Sequence, residues 1–197
     1  MRRLYREGHR IVVALGGGKD SGICTEISRL SAEKEGCLPV EVMTRDEEIV
    51  VPGTNEYLEY IYKQKKNYKM DILIANQPVI NVFERKHPYW WVYDPQLNPK
   101  EWVTQPPPYA HYIKEKHIDA LVIPERYPPP RNKLLIEVIG LRASESVNRN
   151  LAIHTTREAY LTKTHPNGVN KCYPIYDWND TEIWKAYHDN KWIYNTI

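Results

Sequence analysis

The stretch "IVVALGGGKDSG", residues 11–22, constrains the fold more than any other part of the chain. Residues 11–15 are uninterrupted apolar and predict a short strand buried on both faces, the kind found in parallel sheets. Gly16, Gly17 and Gly18 come next, and without Cβ atoms they let the backbone turn back sharply. Asp20 and Ser21 are helix-starting residue types, and Ile23, Cys24, Ile27 and Leu30 then recur at helical spacing as far as Gly36. A strand, a glycine turn and a helix N-terminus in this order leave unpaired N–H groups and the positive end of the helix dipole facing the turn. Such a turn suits an anion, most often a phosphate. Lys19 adds a point charge and Ser21 a hydroxyl donor.

Two common phosphate loops do not fit. The Walker pattern G-x-x-x-x-G-K-[ST] needs glycine where Val13 stands, and Ser or Thr where Asp20 follows the lysine. The dinucleotide fingerprint G-x-G-x-x-G, counted from Gly16, meets Ser21 at its third glycine.

Beyond the loop, strand-like and helix-like stretches alternate. Residues 38–46 predict a second strand. Residues 53–68 predict a helix, with Thr54 or Asn55 as cap and Tyr57, Leu58, Ile61 and Tyr62 as its stripe. Residues 71–76 read as a third strand, 109–117 as a helix, 133–140 as a fourth strand and 173–178 as a short fifth strand at an edge. Residues 179–190 close the series as a helix capped by Asp180 or Thr181. This order argues an α/β, Rossmann-like parallel sheet with helices on both faces. Ligands of such sheets bind beyond the carboxyl ends of the strands. Here those ends carry residues 16–21, the run Arg45-Asp46-Glu47-Glu48, and residues 140–149.

The 197 residues fit a single domain, and no apolar run approaches the length of a membrane span. The first ten residues have no apolar core of a secretory signal. Cys24, Cys37 and Cys172 form neither a C-x-x-C pair nor a metal spacing, which points to buried apolar thiols in a reducing cytoplasm. A net charge of +2 imposes no global field. Basic clusters at Arg2, Arg3, Arg6 and Arg10 and at residues 63–69 read either as solvated faces or as nucleic-acid contacts. Eleven of the 15 prolines lie between Pro78 and Pro130, together with Trp90, Trp91 and Trp102, so residues 78–132 are expected to be an insertion. It reads as a lid or partner surface, for a protein or a base, or else as a satellite cluster stapling a long loop.

Arg142 and Arg149 flank Ser144, Glu145 and Ser146 just after a buried strand, where a guanidinium can fork a phosphate or sulfate. Glu145 orients one of these arginines, starts a helix, or belongs to a structural Arg–Glu pair. Asp46 and its acidic neighbours read as Mg²⁺ ligands, as acceptors for ribose hydroxyls, or as a solvated loop. His154 and His165 lie nearest the site in sequence and fit surface or satisfied roles better than that of a base.

The glycine loop resembles the S-G-G-x-D-S loop of the PP-loop ATP pyrophosphatases, also called adenine nucleotide alpha hydrolases, with Gly16 in place of the first serine. "GLRASES" is similar to the G-[IL]-R-x-x-E-S element of their phosphoadenosine phosphosulfate (PAPS) reductase branch. "YPIYDWNDTEIWKAY" is similar to that branch's P-[IL]-x-D-W-x-x-x-D-[IV]-W segment, and "RDEEIVVPGT" resembles the loop after its second strand. The flavour of the chain, with "PYWW" in the insertion, is similar to phage- and plasmid-borne members, including prophage gene-expression co-activators. The resemblance implies an adenine nucleotide, PAPS or ATP, with Mg²⁺. Gly16, Gly17, Gly18, Lys19 and Ser21 would hold the phosphates, and Asp20 would fix the loop or approach a metal. Asp46 would lie near the nucleotide or its Mg²⁺, and Arg142, with Glu145 and Arg149 beside it, would clamp the anion. The C-terminal cysteine of PAPS reductases and the paired cysteines of the iron–sulfur enzymes have no counterpart here, so no iron–sulfur cluster is expected. The expectation is a reductase-like or pyrophosphatase-like protein, a C-terminally truncated piece of one, a nucleotide-binding regulator, or a nucleic-acid-modification partner.

Overall fold

The computed structural model describes all residues except 81, 83, 84, 114–120, 149, 152–159 and 196–197. In chain order it contains α1 (Arg2–Arg6), β1 (Arg10–Ala14), α2 (Lys19–Lys34), β2 (Val40–Asp46), α3 (Thr54–Lys63) and β3 (Tyr68–Ala75). There follow β4 (Pro78–Ile80), β5 (Tyr89–Trp91), β6 (His111–Ile113), β7 (Leu135–Val138), β8 (Val169–Cys172) and a helix Asp180–Asn190, here α4. Six strands form one sheet in the order β6-β3-β2-β1-β7-β8, and every neighbouring pair is parallel. The fold is α/β and Rossmann-like. Strand β1 lies inside the sheet between β2 and β7, so its residues are covered above and below, and Val12 and Val13 have no solvent exposure.

Alternation along the strands sorts the core into two layers. Val13, Leu15, Val42, Ile136 and Val138 pack with Tyr5 of α1, Ile23 of α2, Ile61 of α3 and Ile183 and Tyr187 of α4. Val12, Met43, Leu73, Leu135 and Val169 face the other way, against Leu121, Val122 and Tyr127. Helix α2 approaches closely because its buried face carries small residues, Gly22, Ser28, Ser31 and Ala32 among them. Its buried Glu26 accepts a 2.8 Å hydrogen bond from Tyr68 Oη of β3 and pairs with Arg29 at 2.8 Å.

Four sequence-based expectations need correction, the first being the start of α3, whose N-cap is Gly53 in the left-handed region rather than Thr54 or Asn55. Residues 111–113, expected in a helix over 109–117, form β6 and pair with Leu73, Ile74 and Ala75 of β3. Three prolines at 106–108 deny a helix its amide donors, while the open edge of β3 offers a ladder to the strand-prone His-Tyr-Ile. Residues 114–117 fall outside the described residues. The last strand is Val169–Cys172 rather than 173–178. Pro174 follows it, and the chain turns, with Tyr176 N donating to Tyr173 O and Trp178 N to Ile175 O. Finally, α4 is capped by Asn179 in a reciprocal capping box with Glu182, not by Asp180 or Thr181. The sequence reading also missed α1.

The insertion is fastened rather than free at its centre. Buried Glu48 accepts from the backbone N–H groups of Tyr93 and Val103, and its carbonyl accepts from Thr104 Oγ1 at 2.8 Å. Tyr93, Val92 and Ile74 form a small core with Trp90 and Trp102 against it. The basic clusters are matched by acids: Arg2 and Arg6 with Glu35, Arg3 with Glu7, Arg10 with Glu41, Lys63 with Glu59 and Lys69 with Glu41. No helix among the described residues is long and apolar enough to cross a membrane.

Gly140, just past β7, is where the sheet edge and α2 meet most tightly. A Cβ there would lie 2.7 Å from the Asp20 carbonyl carbon and 2.7 Å from Ser21 N, both backbone atoms. We predict that Gly140→Ala destabilises the fold by about 1–3 kcal/mol through overpacking, read as a fall of several degrees in thermal denaturation.

Candidate functional site

The site is built where β1 runs into α2. Gly17 has φ of +79°, and a Cβ there would come within 2.6 Å of Thr54 Cγ2, so glycine is required both by conformation and by space. Gly18 is the N-cap of α2, and no side chain caps it. Among the described residues, the N–H groups of Gly17, Gly18, Lys19 and Asp20 have no acceptor. Those of Gly18, Lys19 and Asp20 are orphan donors at the start of a 16-residue helix. Ser21 braces the turn from inside: its Oγ accepts from Gly16 N at 3.2 Å and donates to Gly18 O at 3.0 Å. A Cβ at Gly16 would meet nothing within 4 Å, so packing does not demand the glycine that replaces the first serine.

Behind the loop lies Arg142, only 2% exposed. Its Nε sits 3.0 Å from Asp20 Oδ1 without hydrogen-bond alignment. Its Nη2 donates to Asp180 Oδ1 at 3.0 Å, and Nη1 donates to Ser144 Oγ at 3.3 Å. Glu145 Oε1 is 3.6 Å from Nη2. Lys19 Nζ lies 3.4 Å from Asp20 Oδ2 and 3.6 Å from Asp180 Oδ1. Two cations thus face three carboxylates, and Tyr187 of α4 donates to Lys19 O at 2.6 Å. Asp180 was read from sequence only as a cap. Asn179 and Glu182 cap α4 between themselves and leave Asp180 to turn toward Arg142.

A cavity of about 350 Å³ opens beside Gly16 along the carboxyl ends of β1, β2 and β3, with Leu15, Met43, Thr44, Thr54 and Leu58 in its wall. Asp46 also lines it, but Oδ1 accepts from Glu48 N at 2.9 Å and Oδ2 from Tyr93 Oη at 2.9 Å. The acidic run therefore anchors the insertion, and the residues offer a poor fit to a protein-held Mg²⁺. Among the described residues no three His, Cys, Asp or Glu side chains group for a metal. Arg149 and His154 fall outside the described residues, and His165 sits in the turn before β8, its N–H donating to Val169 O at 3.0 Å. Burial pushes the Cys172 thiol up to about 11 and raises that of Cys24 as well, which leaves both as poor nucleophiles near neutral pH. Exposed Cys37 lies before β2, at the end of the sheet away from the loop.

Comparisons with known proteins accord with this geometry. The chain covers 98% of its own length and 81% of a PAPS reductase from Candida auris, solved as a phosphate complex, at 12% identity and a TM-score of 0.52. The chain shares an overall fold with that reductase. It also covers 89% of its own length and 46% of an FMN adenylyltransferase from Candida glabrata bound to FAD and inorganic pyrophosphate, at 11% identity and a TM-score of 0.50. In sequence it is 26% identical to the uncharacterized protein YbdN of Escherichia coli K12, over 95% of the chain. The chain spans about half the length of that curated relative. No protein-family profile matches it.

Within this site the buried pair and the exposed pair should behave differently. We predict that Arg142→Met, which strands Asp20 without its buried partner, lowers stability by about 3–5 kcal/mol. Asp180 has a side chain 69% exposed, so Asp180→Asn should cost less than about 1 kcal/mol. Urea denaturation of the two variants measures the contrast.

Proposed function

We propose that the chain binds an adenine nucleotide, ATP or PAPS, through its phosphates at the residue 16–21 loop, and acts at the α-phosphate or the phosphosulfate linkage. The observation that carries this reading is the set of unpartnered N–H groups at Gly17, Gly18, Lys19 and Asp20, next in the chain to Gly16, which lines a cavity of about 350 Å³. The likeness to a reductase solved with phosphate and an adenylyltransferase solved with FAD and pyrophosphate supports it.

In this reading the pre-aimed amides and the dipole of α2 stabilise negative charge growing on the phosphate oxygens, with no reorganisation at the moment of reaction. Lys19, 31% exposed at its side chain, swings from Asp180 to the phosphates. Arg142 adds its charge from beneath the cradle and, with Glu145, positions Asp20. Ser21 holds the turn open at the right width. Any Mg²⁺ arrives on the nucleotide's own phosphates rather than in a protein cage.

A second reading, a regulator that binds nucleotide without chemistry, is favoured by one observation. Lys19 and Arg142 already face Asp20, Asp180 and Glu145, so little net positive charge remains to drive phosphate chemistry. Titration calorimetry with ATP and with PAPS, each with Mg²⁺, tests the nucleotide site. Lys19→Ala should weaken binding by about tenfold to a hundredfold, the worth of a hydrogen bond to a charged group, and Ser21→Ala by less. Unchanged affinity in both variants would overturn the assignment. Release of pyrophosphate, adenylate or sulfite by the wild type, lost in Lys19→Ala, would establish chemistry; binding with no turnover would establish the regulator.

A further inference from the structure

Glu137 is a carboxyl group that the loop does not explain. It stands in the middle of the sheet on β7, in register with Val12 of β1 on one side and Lys171 of β8 on the other. By alternation it shares the face of Leu135, on the side where Val12, Met43, Leu73 and Leu121 pack. It lines the same cavity that opens at Gly16, with Ala14, Met43 and Leu121 as its apolar neighbours. Among the described residues its carboxyl has neither a hydrogen-bond partner nor a close ion pair. Glu137 is half-buried, so its carboxyl sits beside apolar side chains yet stays open to the cavity, where a ligand group can partner it.

The position has a scale. Val12 is paired with Glu137, and Gly16 lies four residues further on, which is about 13 Å along an extended chain. A nucleotide whose phosphates meet the N-terminus of α2 and whose base lies back along this face of the sheet would bring the base edge to Glu137. We propose that Glu137 accepts a hydrogen bond from the exocyclic 6-amino group of the adenine base, and so selects the nucleotide. The inference rests on the adenine-nucleotide reading above and adds the residue that distinguishes the base. Met43, Ala14 and Leu121 supply flat apolar contacts for the ring, and Pro107 and Tyr109 of the insertion close the cavity from outside.

Burial raises the Glu137 carboxyl above its ordinary range, and Lys171 on the neighbouring strand pulls it back. The other charged groups of the cavity, Arg45, Asp46, Glu47 and Glu59, come from β2, the loop after it and α3. In either protonation state Glu137 keeps an oxygen able to accept an N–H, so the contact does not depend on which form prevails.

The test is a cycle of ligand and protein changes. ATP and purine riboside 5′-triphosphate, which lacks only the 6-amino group, are titrated calorimetrically into the wild type, Glu137→Leu and Glu137→Gln. The wild type should prefer ATP by about tenfold or more. In Glu137→Leu the ratio should fall to near one, while Glu137→Gln, which keeps a carbonyl, should retain most of it. Inorganic pyrophosphate binding serves as the control for an intact loop and fold in both variants. An unchanged ATP preference in Glu137→Leu, or a wild type that binds both nucleotides equally, would overturn the inference and leave the nucleotide site standing. A wild type that binds neither nucleotide would overturn both.

Discussion

A guanidinium with almost no access to water, Arg142, sits between carboxylates supplied by α2 and α4, and the geometry of the site hangs on that arrangement. A buried charge of this kind is expensive unless its partners are held in place. Asp20 belongs to the first turn of α2, and Asp180 is the first residue of α4. Satisfying Arg142 therefore fixes both helix starts against the carboxyl edge of the sheet, and Tyr187 ties α4 again to the Lys19 carbonyl. Gly140 makes the arrangement possible, since any side chain there would collide with the backbone of Asp20 and Ser21. No described group accepts from the loop's amides at Gly17, Gly18, Lys19 and Asp20.

The insertion obeys the same economy of partners. Glu48, with φ of 64°, holds two backbone N–H groups of the insertion, and Asp46 holds the Tyr93 hydroxyl. Acids that look like a metal site in sequence are consumed in fastening a proline-rich segment that cannot fasten itself through regular hydrogen bonding. That segment in return supplies Pro107 and Tyr109 to the cavity and an edge strand to the sheet.

What could be read in advance followed from local signals of unusual strength. An apolar run ending in Gly16, Gly17 and Gly18 announces a strand, a turn and a helix start, and the turn lies where the chain places it. Arg142 was legible as a neighbour of the loop because it follows a buried strand at the sheet's carboxyl edge. Its partner Asp180 was not, since pairing across 38 residues leaves no local trace. Glu137 was hidden for a similar reason: within "KLLIEVIG" it looks like a tolerated polar residue, and only the register with Val12 shows that it faces a cavity. Residues 111–113, expected to be helical, are a strand because tertiary pairing with β3 outweighs local preference. Residues 173–178 misled because their aromatic, strand-like composition adjoins a true strand and is broken only by Pro174.

The central claim is that the orphan amides at the start of α2 receive the phosphates. The most direct measurement is a titration of ¹⁵N-labelled protein with inorganic pyrophosphate, following the amide resonances of Gly17, Gly18, Lys19 and Asp20. These four should shift together and saturate along one binding curve, with smaller movement at residues on the far end of the sheet. Saturable binding that leaves these amides unmoved, with shifts centred elsewhere, would contradict the account.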